Sequence, residues 1–133
     1  MEIMEGEKPF PEGILFHAFA GSKDLIKTLA AKGGYFSFAG NILNEHNTKM
    51  RESLPAVPSD RLLFETDSPD LVLPEKYQSY QKTRTDGRVR SEPADLQTIV
   101  KEAALLRGEK PDVLAETAWE NSLKFFSPIL RKK

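Results

Sequence analysis

Two short apolar runs in this chain end in side chains that bind cations. His17 lies in Gly13-Ile-Leu-Phe-His-Ala-Phe19, and Glu65 and Asp67 end Arg61-Leu-Leu-Phe-Glu-Thr-Asp67. Side chains alternate across a strand, so Asp67, Glu65 and Leu63 share one face while Phe64 and Leu62 take the other. The same count sets His17 with Leu15 and Gly13, opposite Phe16 and Ile14. If the phenylalanines pack under helices, His17 and Asp67 point toward one open mouth at the carboxyl ends of their strands. An imidazole and a carboxylate meeting there suit a divalent ion. Spacing alone leaves plainer readings open, because a histidine at a strand end is often hydrogen-bonded structure and a carboxylate after a strand is often a helix cap.

The elements that must position these groups follow from the pattern around them. Gly13 to Phe19 reads as a strand covered on both faces, bounded by Pro11 and Gly21. A helix follows, with Ser22 as N-cap, Asp24 in its first turn, Leu25, Ile26 and Leu29 on its buried stripe, and Gly33 or Gly34 at its end. Tyr35-Phe-Ser-Phe38 is a second strand. Ile42 to Leu54 carries a loop and a short helix ended by Pro55 and Pro58, and Arg61 to Asp67 is the third strand. From Ser68 to Ser91 proline, charge and tyrosine recur without period, which predicts a long loop with at most a helical turn. Pro93 opens a helix with Leu96, Ile99, Val100 and Ala103 on one face and Gly108 at its end. A last helix from Pro111 sets Leu114, Ala118, Asn121 and Phe125 on one side. Strands alternating with helices predict an α/β fold with a parallel sheet and right-handed crossovers, in which reactive groups gather at the carboxyl ends of the strands.

Composition narrows the class. The chain has 133 residues, 39% hydrophobic and 29% charged, enough for one globular unit. It is too short for a whole eight-stranded α/β barrel, which takes about 250 residues. A net charge of −1 gives no overall pull toward nucleic acid or anionic membrane, so any phosphate-binding surface is local. The absence of cysteine excludes disulfides and thiolate ligands and makes a reducing compartment the default. With no apolar run long enough to span a bilayer and an acidic, polar start unlike a leader peptide, the expected setting is intracellular and cytoplasmic, with no membrane partner.

Two places suit phosphate. Gly21 and Ser22 stand at a helix N-terminus, where free amides favour an anion, although Ser22 also reads as a simple cap. The loop after the third strand carries Lys76, Lys82, Arg84, Arg88 and Arg90 against Glu75 and Asp86, with Tyr77 and Tyr80 between them. Such a segment can hold a nucleic acid backbone and stack a base, or be solvated charge. His46 is expected on the surface.

Read together, His17-Ala-Phe-Ala-Gly-Ser22, Tyr35-Phe-Ser-Phe-Ala-Gly40, Glu65-Thr-Asp-Ser-Pro69, Ser91-Glu-Pro93 and Asn121 resemble, in order, the second half of the TatD family of metal-dependent deoxyribonucleases. Val57-Pro-Ser-Asp-Arg61 and Gly33-Gly-Tyr-Phe-Ser-Phe38 resemble its eukaryotic, plant-like branch. The resemblance implies a partial TIM-type (β/α) barrel, about strands 6 to 8 with their helices. Residues 13–127 would be the C-terminal part of the barrel domain, 1–12 a remnant of a preceding helix or linker, and 128–133 a basic tail. It further implies two divalent ions, of magnesium, manganese or zinc type, with His17 a ligand of one. Asp67 would bind the other and orient or deprotonate the attacking water, for a DNA or other phosphodiester substrate. Glu65 is expected to hold Asp67 or an inward basic partner rather than the ion, or equally to serve in a buried ion pair.

The chain also departs from that pattern. Family members bring a His-x-His pair on the first strand, a glutamate on the fourth and a histidine on the fifth, and the residues before Gly13 are too few to supply them. Ala18 stands where a cysteine is common. The expectation is therefore little or no hydrolase activity for this chain alone, with two open sheet edges and an uncovered inner face awaiting the N-terminal half or a second chain. Met1 would then be internal to a longer protein, or the start of a short isoform. A hydrolase of amide or ester bonds and a non-catalytic interaction module are the competing readings.

Overall fold

A computed structural model describes residues 9–78, 82–83 and 87–130. Its centre is a parallel sheet in the order β1 (Ile14–Phe16), β2 (Gly34–Phe38), β3 (Leu62–Phe64). Ile14 lies beside Gly34 in the first ladder, and Phe36 beside Leu62 in the second. Helix α1 (Lys23–Ala31) connects β1 to β2. The chain returns from β2 to β3 through the 3-10 turn Gly40–Leu43, the short helix α2 (Thr48–Ser53) and two further 3-10 turns. After β3 come a 3-10 turn at Glu75–Tyr77, an antiparallel pair β4 (Lys82–Thr83) and β5 (Val89–Arg90), and the helices α3 (Leu96–Arg107) and α4 (Pro111–Leu130).

Local chemistry starts and stops these helices. The Ser22 hydroxyl accepts from the Asp24 amide at 3.3 Å, with Asp24 in the first turn of α1. A reciprocal capping box between Glu92 and Asp95, around Pro93, leads into α3. Gly108 ends that helix at φ +68, while the Glu109 amide reaches back to the Ala104 carbonyl at 2.9 Å.

The core lies on one face of the sheet. Phe36, Phe38 and Leu62 are fully buried there with Ile26, Ile42, Leu54, Ile99 and Leu114. Phe16 stacks on Phe36 at 5.4 Å, and the Phe19 ring meets Phe36 edge-on at 5.0 Å. Two polar clamps fasten helices to loops. The Asn121 amide of α4 donates to the carbonyls of Ser59 and Leu62 at 2.7 and 2.9 Å. The Arg107 guanidinium of α3 donates to the carbonyls of Leu54 and Val57 at 2.8 and 2.9 Å and pairs with Glu109.

Several expectations change. β1 and β3 are shorter than their apolar runs, because the chain turns into left-handed torsions at Ala18 (φ +45) and Asp67 (φ +53). β1 is half-buried along its length rather than covered on both faces, and among the described residues it pairs only with β2. The segment from 68 to 91 contains the β4/β5 pair where a loop was expected. A two-residue ladder is too short to leave an alternation in sequence. Leu96 is exposed, because the first turn of α3 borders a groove beside Phe64 instead of the core. The inner face is not bare: Tyr35 lies under Phe125 and Arg61, and Ser37 is 2% exposed beneath groups from both neighbouring strands. α4 runs to Leu130, so residues 128–130 of the expected tail are helical. Residues 1–8 of the expected remnant lie outside the described residues.

Candidate metal centre

The site is built where β1 and β3 end. One residue beyond β1, the His17 Nε2 stands 3.1 Å from Glu65 Oε2 and 3.2 Å from Asp67 Oδ1, both just past β3. One ligand atom from each of the three residues can be chosen so that all lie within 4.8 Å of one another. The side chains are open to the mouth of the sheet to different degrees: 61% exposed for His17, 32% for Asp67 and 18% for Glu65.

Glu65 is the most firmly held of the three. Its Oε1 accepts from the Ala18 amide at 2.9 Å, its Oε2 accepts from the Ser37 hydroxyl at 2.9 Å, and its own amide donates to the Phe38 carbonyl at 3.1 Å. Asp67 sits in a turn whose carbonyl accepts from the amides of Asp70 and Leu71 at 3.0 and 3.2 Å. The Ser68 hydroxyl donates to Thr66 Oγ1 at 2.8 Å and lies 3.4 Å from the Ser91 hydroxyl. Ser91 in turn donates to the buried Asp95 carboxylate at 3.2 Å, and its amide donates to the Pro69 carbonyl at 3.1 Å. The Ser91-Glu-Pro93 block is thereby docked against the turn that carries Asp67.

The donor set fits a divalent cation. Bonds of about 2.1 Å from metal to nitrogen or oxygen place neighbouring donors roughly 3.0 to 3.4 Å apart, which brackets both His17 separations. One imidazole with two carboxylates, and no sulfur, matches magnesium, manganese or zinc rather than a soft ion.

The fold thus gathers His17, Glu65 and Asp67, with the Glu65 carboxylate beside the His17 imidazole. Ser22 serves as the α1 cap, its hydroxyl also donating to Asp24 at 3.0 Å. The Gly21 carbonyl accepts from the Ser53 hydroxyl at 2.7 Å, and a Cβ at Gly21 would stand 2.5 Å from the Phe19 ring. Lys82 and Arg90 are cross-strand partners in the β4/β5 pair, and Arg88 and Arg90 are exposed there. Arg84, Tyr80 and Asp86 lie outside the described residues. Tyr77 is engaged, its hydroxyl donating to Glu102 at 3.3 Å and its ring lying under Lys76, which pairs with Glu45. His46 is exposed. Sequence reasoning passed over Ser37, Ser91 and Asp95 as site supports. The one available signal for Ser37 was a hydroxyl set among aromatic residues in a strand.

These features define a class, a parallel α/β sheet with a candidate metal-ligand cluster at the carboxyl ends of its strands. The model of the TatD-related DNase family matches residues 1–127, and the chain belongs to that family. Among its relatives, the 3'-5' ssDNA/RNA exonuclease TatD of a Rahnella species is 36% identical over 123 residues, covering 92% of this chain and 44% of the relative. A TatD homologue from Escherichia coli superposes with a TM-score of 0.71 at 23% identity, over 88% of this chain and 41% of that one. A TatD-family hydrolase from Entamoeba histolytica gives 0.67 at 18% identity, over 84% and 41%. The chain spans under half the length of these proteins. Among the described residues no helix is long and apolar enough to cross a membrane.

Proposed function

We propose that this chain is the cation-binding, carboxyl-terminal portion of a metal-dependent phosphodiesterase acting on DNA, corresponding to about strands 6 to 8 of a (β/α) barrel. His17 and Asp67 are its ligands for divalent ions, and Asp67 also orients or deprotonates the attacking water. The observation that carries this reading is the approach of two carboxylates to a single imidazole nitrogen, at 3.1 and 3.2 Å. One N–H serves only one acceptor well, so two carboxylates close to Nε2 favour a cation beside the imidazole. When bound, a divalent ion supplies an acidified water and offsets charge building on a phosphoryl oxygen. Glu65, held through both oxygens, keeps its carboxylate against His17, while the more exposed Asp67 is free to accept a proton.

The substrate assignment rests on the family and on the relatives named as nucleases. Arg88 and Arg90, with Lys82 and Arg84, supply cationic contacts to a nucleic acid backbone after β3, and Gly21 and Ser22 at the start of α1 offer a further phosphate contact. The compartment is intracellular, in keeping with a chain that has no cysteine. With ligands from two strand ends among the described residues, this chain alone hydrolyses little. Its activity requires further strands and helices on the open edges of β1 and β3, supplied by a longer chain or a second one.

The test is hydrolysis of single-stranded DNA in Mn2+ or Mg2+ by this chain and by a version extended upstream. We expect turnover only from the extended protein, and a fall of at least about a hundredfold for Asp67→Asn, the low end for loss of a positioned acid or base. An extended protein that is inactive, or whose activity survives Asp67→Asn, overturns the assignment.

A further inference from the structure

We infer that Ser37 is a positioning residue for the cation cluster: from the central strand it fixes the carboxylate of Glu65 and the backbone of the His17 turn in one arrangement. This inference rests on the reading of His17 and Asp67 as cation ligands, with the Glu65 carboxylate held against His17. Ser37 lies on β2 between the two strands that deliver those ligands, and its side chain reaches both. Its hydroxyl donates to Glu65 Oε2 at 2.9 Å and accepts from the Ala18 amide at 3.2 Å. The same amide donates to Glu65 Oε1 at 2.9 Å, so the Ser37 hydroxyl, the Ala18 amide and the Glu65 carboxylate close a ring of three hydrogen bonds. The Ser37 carbonyl accepts from the Phe19 amide at 2.9 Å, which pins the far side of the turn after His17.

The chemistry of a hydroxyl makes this specific. Ser37 has one proton, and with the Ala18 amide on its lone pair that proton is directed to Oε2, the oxygen that faces His17. Serine is 2% exposed here, so water does not readily replace it. Removing the hydroxyl takes one of the two bonds that fix the carboxylate plane, and it leaves Ala18, held at φ +45, with Glu65 as its one acceptor. A Glu65 carboxylate free to rotate no longer holds the His17 imidazole in place, which must then be ordered when the cation binds. Outer groups of this kind typically change metal affinity by 10- to 100-fold. Ser37 touches neither the cation nor a reacting atom, and it acts through Glu65.

The test measures Mn2+ binding to this chain by the loss of the free-ion electron paramagnetic resonance signal, well below the melting temperature of each variant. Ser37→Ala is expected to weaken Mn2+ binding by about tenfold or more, and Ser37→Thr, which keeps the hydroxyl, to restore most of it. His17→Gln is run beside them to show that the measured ion sits at the cluster. Binding that His17→Gln abolishes but Ser37→Ala leaves unchanged overturns the role of Ser37 and spares the cation site. Failure of Ser37→Thr to restore binding reduces Ser37 to a packing residue and overturns the inference equally. Absence of any His17-dependent Mn2+ binding removes the cation site, and the positioning role with it.

Discussion

At the scale of single residues, the His17, Glu65 and Asp67 cluster is bounded by two backbones in the left-handed region, Ala18 at φ +45 and Asp67 at φ +53. Such torsions in residues other than glycine cost about 1 kcal/mol or more each and persist where surrounding bonds enforce them. Here the bonds are visible: the Ala18 amide is held by Ser37 and Glu65, and the Asp67 carbonyl by two following amides. A simpler residue-level device lies at the surface, where Lys76 pairs with Glu45. The hydrogen bond and charge of Lys76 hold the Glu45 carboxyl below its ordinary 4.5, and the Glu45 bond raises Lys76 above 10.5. A depressed carboxyl stabilises the fold at pH above its unfolded value and loses that contribution as pH falls through the folded value. A raised ammonium does so below 10.5 and loses it as pH rises through its folded value. Because both groups are exposed the effect on stability is small, and the readout is the titration itself. In Lys76→Gln the Glu45 carboxyl, followed by NMR, is expected to return toward 4.5; an unmoved midpoint would show that the pair does not persist in solution.

Between elements, the sheet is short and its neighbours hold it in place. β3 has only three residues, and its start is fixed by Asn121 from α4 and by the turns that Arg107 of α3 clamps. Arg107 is 5% exposed at its side chain and satisfies two loop carbonyls that have no place in any ladder. Lysine has the charge but lacks the planar fork, and leaves a buried carbonyl unpaired. Arg107→Lys is therefore expected to destabilise the protein by about 1–3 kcal/mol, read as a lower midpoint in urea without a change of slope. A loss below ~0.5 kcal/mol, the level of ordinary surface substitutions, would mean that the clamp adds nothing to β3.

For the whole molecule, the outer side of β3 is where the fold is least finished. A groove of about 570 Å3 runs between α3 and α4 over Phe64, with Leu96, Val100 and Trp119 on its walls, and the ligand residues are not among its lining. Trp119 is 64% exposed and is the single tryptophan of the chain. Its emission in this chain is expected to be red-shifted and readily quenched by iodide. In a version extended upstream, where segments added at the β3 edge reach over the groove, it is expected to shift to the blue and lose most of its quenching. Equal quenching in both proteins would place the added segment elsewhere.

Much of this arrangement was legible in the amino-acid sequence. The apolar runs around Ile14, Phe36 and Leu62, the α1 stripe of Ile26 and Leu29 and the stop at Gly108 follow from periodicity and capping, which depend on neighbours a few residues away. The pairing of His17 with Asp67 followed from strand alternation and from the family motif. The tertiary structure alone decided that Glu65 faces His17, that Ser37 joins both, that Arg107 serves loops far back in the chain, and that a small antiparallel pair interrupts the segment after β3. Each of those depends on register between strands or on a side chain crossing the core. No local periodicity records contacts of that kind, because the partners are brought together only when the sheet has formed.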